Sequence, residues 1–421
     1  MAYELRHFTD RALINLLPED VRRQLKSQYL ISADEIRVSF CGVVVGDTGV
    51  SVFLPRNSKV PETGSKDSFS IAALFMKAIR RYSEDRSSKL YATNEGDGNI
   101  GSKKLGLISD LLEDYCNNGL YSRRKSEGVL NLGKPDWRKT ISRQVPFPGA
   151  GGPVYLDIYG TRRRYVSDCE IARIHADVIR ELDSTFGWMV TGSESSISRD
   201  IQNVPVPKGN RDGQIKAVNL ELNSVFSERD IRLLKLLREY LSNEYGQESS
   251  NTVIGMRHFH GMWEHMLDST LQWNFPVNKL LATPAYRFDD GSVRTAASKG
   301  QRTDTVLRRP STDLFAVVDA KYYGAQGLDS APGWPDLVKQ FFYARALKAY
   351  CPEATVSNAF VFPGQGPLKS AHMQKRDSKE MLDIEYPPIR CAYVDPLRLV
   401  EAYVSGKKMV DLSEQLFAQD V

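Results

Sequence analysis

A run of apolar residues that stops abruptly on charge constrains this chain more than any other feature. Residues 314–318 read LFAVV and lead directly into Asp319, Ala320 and Lys321. The run is apolar on both alternating faces, which predicts a strand covered on both sides. Ending such a strand in two charges costs free energy unless the charges find partners. Asp319 and Lys321 are two apart, so in an extended strand they share a face. Upstream, 303–307 reads as a short strand, and the turn 308–313 holds Pro310, Ser311, Thr312 and Asp313, residues that set turn dihedrals. The two strands predict a β-hairpin in which Asp304 reaches the face of Asp319 and Lys321.

Two carboxylates and a lysine at one sheet edge suit metal-assisted hydrolysis of a phosphodiester. Asp304 and Asp319 are the expected ligands for Mg²⁺, with Mn²⁺ as an alternative, because hard cations prefer oxygen donors. Lys321 is expected to orient the attacking water or offset charge growing on the phosphate. A surface hairpin with a casual Asp–Lys pair is the competing reading. The buried run and the upstream Asp304 weigh against it.

A chain of 421 residues is long enough for two domains and a full core. Its hydrophobic and charged fractions, 41% and 26%, are those of an ordinary globular protein. A net charge of +4 is compatible with a nucleic-acid partner without requiring one. The five cysteines are scattered and form no C-x-x-C pair, so neither a zinc ribbon nor a disulfide framework is predicted. The first ten residues, MAYELRHFTD, contain no apolar stretch, and no run of eighteen apolar residues occurs. A cytoplasmic protein without membrane contact is expected.

The predicted class is α/β with a mixed sheet, in an α+β N-terminal domain at 1–250 and a second domain at 251–421. Residues 4–30 read as helix, 36–54 as a hairpin, and Phe69 to Tyr82 as an amphipathic helix. A glycine-rich loop is expected at 83–104, helices at 105–117, 167–186 and 227–245, a linker at 191–213, and the boundary in the polar stretch 246–252. Between them lie YSRRK and GKPDWRKTI. Arg123, Arg124, Lys125, Trp137, Arg138 and Lys139 there are candidate DNA contacts, basic residues interleaved with aromatics. A solvated basic face with core-facing aromatics is the plainer alternative. Pro135-Asp136 imitates a nuclease motif but lacks a following buried strand ending in Asp/Glu-x-Lys.

Residues 253–271 read as one helix. Its Glu264 sits among apolar residues and points either to solvent or to a metal. His258, His260 and His265 lack the H-E-x-x-H frame of a zinc site. After the hairpin, Trp334–Tyr350 is a predicted helix, with Pro335 and Asp336 as opening signals. Gln340 and Tyr343 lie close on one of its sides. Strands at 356–362 and 389–394 and a helix from Pro396 follow. No Walker A motif appears.

This layout resembles the PD-(D/E)xK nuclease superfamily: Glu264 on a helix, Asp304, then Asp319-x-Lys321, then a helix bearing Gln340. The motif's leading proline is replaced by Thr303. Gln340-x-x-Tyr343 is similar to the Q-x-x-x-Y element of RecB-like and McrC-like nucleases, one residue shorter. The segments FCGVVVGDTGVSVFLPR, GKPDWRKTI and FHGMWEHML resemble LlaJI-type restriction endonucleases, relatives of McrC. The resemblance implies an Mg²⁺-dependent endonuclease subunit acting on double-stranded DNA with a separate McrB-like AAA+ GTPase, and paired copies for double-strand cutting. It implies catalytic roles for Asp304, Asp319, Lys321, Glu264 and Gln340, with Glu264 completing the metal shell and Gln340 holding the lysine or a phosphate. The 1–250 domain would read DNA or dock on the motor. A non-catalytic adaptor that stimulates the GTPase, and a RecB-like repair exonuclease, are the rival expectations.

Overall fold

A computed structural model describes residues 5–62, 65–87, 98–243, 252–296, 300 and 302–417. The stretch 246–251, where a boundary is expected, and residues 88–97 of the expected loop lie outside the described residues. The architecture is mixed α/β, as the sequence predicts. It forms two compact units, one of residues 1–105, 191–194 and 250–421, the other of 106–190 and 195–249. This differs from a cut at 250, because the first 105 residues belong with the C-terminal part. Among the described residues no helix is long and apolar enough to cross a membrane.

The first unit opens with strand β1 (Leu5–Thr9), helix α1 (Glu19–Ser27), the hairpin β2 (Cys41–Gly46) and β3 (Gly49–Leu54), helix α2 (Lys66–Ser87) and a short β4 (Asn99–Ile100). Residues 4–30 are thus not one helix. β1 pairs in parallel with β3, Leu5 opposite Val50, a short 3-10 turn spans Ile14–Leu16, and only the part after Pro18 is α-helical. Of the leucines and valine spaced for that helix (Leu13, Leu16, Leu17, Val21 and Leu25), Leu17, Val21 and Leu25 are buried with Val38 and Phe40, while Leu16 is exposed.

The second unit starts within helix α3 (Ser102–Asn118). Strand β5 (Arg123–Leu130), β6 (Lys134–Pro135), helix α4 (Trp137–Arg143), the hairpin β7 (Phe147–Gly149) and β8 (Gly152–Val154), and β9 (Tyr159–Val166) follow. β9 lies between β5 and β6. Helices α5 (Glu170–Phe186), α6 (Trp188–Thr191), α7 (Arg211–Leu222) and α8 (Glu228–Ser242) come next. α7 begins inside the stretch that reads as a linker. Asn210 caps it by accepting the Gly213 N–H at 3.1 Å. On α5 the stripe Ile171, Ile174, Val178, Ile179 and Leu182 is buried as its spacing requires. His175 is buried among them, its Nδ1 accepting the Tyr121 N–H at 3.1 Å.

The chain returns to the first unit as strand β10 (Thr252–Met256), antiparallel to β2 with Val253 opposite Val44. Residues 253–271 are therefore not one helix. The first residues complete a sheet of order β1-β3-β2-β10-β4, and helix α9 (Phe259–Thr270) starts after His258. Gly42 faces Gly255 in this pairing, and a Cβ on Gly42 would stand 2.5 Å from the Gly255 Cα. Only glycine permits that approach.

A second sheet follows. After a separate two-stranded hairpin, β11 (Ala285–Arg287) and β12 (Val293–Thr295), its strands and the surrounding helices are β13 (Thr305–Arg308), β14 (Leu314–Ala320), helix α10 (Trp334–Tyr350), β15 (Thr355–Pro363), β16 (Ser370–Ala371), β17 (Ile389–Val394), and helices α11 (Pro396–Ser405) and α12 (Val410–Phe417). Strands β13 to β17 order as β13-β14-β15-β17-β16, with β14, β15 and β17 parallel. α10 is the crossover between β14 and β15. It covers one sheet face, where Leu347 packs with Phe315 and Val317. On the other face, the Ser357 hydroxyl donates to the Leu416 carbonyl of α12 at 2.8 Å.

Burial holds His175 down at about 4, against 6.5 in an open chain, with Asp114 opposing and Arg229 reinforcing the shift. The unfolded chain therefore takes up the proton first. Stability from this group is whole above pH 6.5 and is lost as the pH falls toward 4. The loss is on the order of 3 kcal/mol. Urea unfolding followed across that window is expected to show it, and His175→Gln to flatten the slope. His7, also held at about 4 by burial, leaves a residual slope of the same sign. An unchanged slope in His175→Gln would count against a buried neutral imidazole.

Candidate active site

The β13–β14 hairpin carries the site. Its register sets Thr305 opposite Val318, so one further step sets Asp304 opposite Asp319. The turn closes as its residues demand: Ser311 takes a left-handed φ of 58°, and the Arg309 N–H donates to the Leu314 carbonyl at 3.0 Å. β14 runs past the apolar residues to Ala320, so Asp319 lies in the strand itself. β15 fixes both charges from the side. Asp319 pairs in register with Phe360, and the Lys321 N–H donates to the Val361 carbonyl at 3.0 Å.

Lys321 Nζ stands 2.8 Å from Asp319 Oδ2 and 2.7 Å from Asp336 Oδ1, with its side chain only 12% exposed. Burial alone would lower this ammonium, but the two carboxylates outweigh it and raise it to about 12. Asp336, which in the sequence is no more than a helix-opening residue, is the second anchor of the lysine. Its position held the signal: the first turn of a crossover helix lies near the carboxyl end of the strand it leaves.

Asp304 Oδ2 accepts the Ala320 N–H at 3.0 Å. Burial, then the charge of Asp319 and a hydrogen bond with it, then the charge of Glu264, push Asp304 up to about 7. Asp304 is itself exposed to solvent. Screening there trims the shift without reversing its direction. Glu264, half-buried on α9, thus reaches the site by its charge. Among the described residues no three His, Cys, Asp or Glu side chains are grouped so as to hold one ion. The expected trio is therefore a facing pair, Asp304 and Asp319, with Glu264 set back from it.

Gln340 is fully buried on α10, one turn after Asp336, and neither its amide nitrogen nor its oxygen has a partner among the described residues. The expected bond from Gln340 to Lys321 is not formed, because the two aspartates hold the ammonium. Tyr343 donates its hydroxyl to the Arg302 carbonyl at 2.7 Å. Its phenol is raised by burial and then by Asp304 and Asp319, which places it beside the acidic pair despite the shortened spacing.

In the second unit the candidate DNA contacts separate. Arg123 is taken by buried Glu221, its Nε donating at 2.8 Å, and the same carboxylate accepts the Tyr121 hydroxyl at 2.7 Å. Tyr121 is buried, while Arg123 stays 45% exposed with its guanidinium committed to Glu221. The side chain of Arg124 lies outside the described residues. Lys125, Arg138 and Trp137 are exposed, Trp137 by 53%. Lys139 is half-buried with its Nζ 5.0 Å from the Tyr159 ring centre. Asp136 caps α4 by accepting the Lys139 N–H at 3.0 Å, so Pro135-Asp136 is a helix start.

Comparison with known proteins gives three findings. A family model described as LlaJI restriction endonuclease matches residues 40–389. The component YdjA of the type II restriction enzyme BsuMI, from Bacillus subtilis strain 168, is 24% identical over 407 residues, covering 91% of this chain and 84% of that protein. A solved assembly of Thermococcus gammatolerans McrB AAA+ hexamers with bound McrC matches with a TM-score of 0.40 at 13% identity, covering 96% of this chain and 99% of that one.

The raised carboxyl of Asp304 has a consequence for stability. The folded state keeps this proton up to about 7, while the unfolded chain releases it near 3.8. Stability falls as pH rises between those values and stays reduced above 7. In metal-free buffer at about pH 8, Asp304→Asn is expected to raise the melting temperature above wild type, and the gain to shrink in acid. An equal or lower melting temperature at alkaline pH would show that Asp304 does not crowd Asp319.

Proposed function

Because this chain belongs to the LlaJI restriction endonuclease family, we propose that it is the cutting subunit of a restriction system, a Mg²⁺-dependent endonuclease on double-stranded DNA. The observation that carries this reading is the facing pair Asp304 and Asp319 beside a lysine clamped by Asp319 and Asp336. In this reading β13, β14, α10 and β15 form a PD-(D/E)xK core. The residues fit a hard dication: the donors are carboxylate oxygens, and burial together with the charges of Asp319 and Glu264 raises the Asp304 carboxyl, a strain that a bound dication would relieve. Asp304 and Asp319 would hold Mg²⁺, with Mn²⁺ able to replace it and Glu264 acting from farther out. When bound, the ion supplies Lewis-acid polarisation of the phosphodiester and acidifies water.

The chain's own residues do the rest. An ammonium has three N–H donors. Two of Lys321's meet Asp319 and Asp336, which leaves the third for water or a phosphate oxygen. Held this way, the charge is already in place when the phosphate becomes more negative, so no reorganisation is needed at that moment. Exposed Lys125, Trp137 and Arg138 support a DNA-facing role for the second unit. A separate McrB-like AAA+ GTPase completes the system, since the sequence carries no Walker A motif of its own. Cutting both strands takes two such sites, so paired copies belong to the same reading.

The test is cleavage of circular plasmid DNA with Mg²⁺ by the purified chain, alone and with the AAA+ GTPase of its system plus GTP. Cleavage is expected in the full mixture. Asp319→Ala is expected to lower it on the order of a hundred- to a thousandfold with the fold intact. Retained cutting by Asp319→Ala sinks the site; absent cutting with GTP hydrolysis still stimulated favours the adaptor. Separately, Lys125→Ala combined with Arg138→Ala is expected to weaken duplex binding at every sequence tested. The log-affinity against log-salt slope should become shallower by about 2. An unchanged slope would remove these residues from the DNA surface.

A further inference from the structure

Tyr322 follows Lys321 directly at the end of the second sheet, and the first sheet and α9 meet on its ring. Its hydroxyl accepts the Arg56 N–H at 3.0 Å and lies 3.7 Å from Cys41 Sγ on β2. The Arg56 guanidinium stands 4.5 Å over the ring centre and is held by Asp10, Nη2 to Oδ2 at 3.1 Å. Phe259 and Trp263 of α9 meet the same ring, with centroids at 5.1 and 5.9 Å. The next residue on α9 is Glu264. Beside Arg56, the Asn57 amide donates to the Pro363 carbonyl at 2.9 Å, at the end of β15. β15 is the strand that holds the Lys321 backbone.

We propose that Arg56 and Tyr322 are positioning residues of the nuclease site. Through them the first sheet sets where Lys321 and Glu264 stand relative to Asp304 and Asp319. The inference rests on the nuclease reading above. Packing alone would be met by any large apolar side chain at 322. A hydroxyl bonded to one backbone N–H, under a guanidinium that is itself tied to Asp10, fixes the ring's height and tilt instead. The backbone of Tyr322 is continuous with Lys321, so a tilt of the ring moves the ammonium. Displacements of about 1 Å are enough to cost on the order of a hundredfold in rate.

Tyr322→Phe, Arg56→Ala and Arg56→Lys test this, measured in the full cleavage mixture on plasmid DNA, with kcat and KM separated and melting temperatures recorded. Phe40→Leu, in the core cluster that α1 buries with Val21 and Leu25, serves as a destabilised reference. Tyr322→Phe is expected to lower kcat about tenfold with KM for DNA unchanged. Arg56→Ala should match it, and Arg56→Lys should recover part of the loss. Phe40→Leu should lose stability and keep kcat. Wild-type kcat in Tyr322→Phe, or an equal kcat loss in Phe40→Leu, overturns the positioning role. No cleavage by wild type or Phe40→Leu in any mixture overturns the nuclease reading itself, and the positioning role with it.

Discussion

The ion cluster around Lys321 is what the rest of the site depends on. A lysine this far from water would be driven toward its neutral form by burial alone. Two carboxylates from two elements prevent that, Asp319 from β14 and Asp336 from α10. The same cluster carries an excess of negative charge, because Asp304 and Glu264 act on it as well. One ammonium does not balance four acids. Burial and the charges of Asp319 and Glu264 raise the Asp304 carboxyl, and the proposed Mg²⁺ would supply the counter-charge. The lysine and the proposed ion site would thus be one electrostatic object, since Asp319 belongs to both.

The core of this arrangement was legible from the sequence because it is local. The hairpin, the shared face of Asp319 and Lys321, the reach of Asp304 and the span of α10 all follow from periodicity and turn chemistry within about fifty residues. What was not legible came from long-range pairing. β1 and β10 look like parts of helices because their apolar residues are also spaced for a helix. Parallel pairing with β3 and antiparallel pairing with β2 decide otherwise. The division of the chain into units has the same origin: β10 joins β2 across more than two hundred residues, which no local pattern records.

The basic residues show a second limit. Arg123 and Lys125 are two apart on one strand and read alike in the sequence. Arg123 is tied to a buried carboxylate on α7, nearly a hundred residues later, and Lys125 faces solvent. A charge run therefore says that positive residues are present, and only the partner says which of them are available. Asp336 makes the converse case. It reads as a routine first-turn acid, yet the crossover topology puts it on the lysine.

Gln340 is where local stability and the site disagree. It is fully buried beside a layer formed by Leu347, Phe315 and Val317, and its amide has no partner among the described residues. Asn358, opposite Val317 on β15, is buried too with its side-chain oxygen unpartnered among those residues. Each unsatisfied group costs on the order of 1–3 kcal/mol relative to an apolar side chain of similar shape. A leucine at either position would pack more stably. Both lie in the layer between α10 and its strands, and Gln340 shares a helix face with Asp336. Polar groups held at a cost to the fold gather where a protein's structure serves chemistry more than stability. Here they lie in the layer whose rim carries Asp319, Lys321 and Asp336.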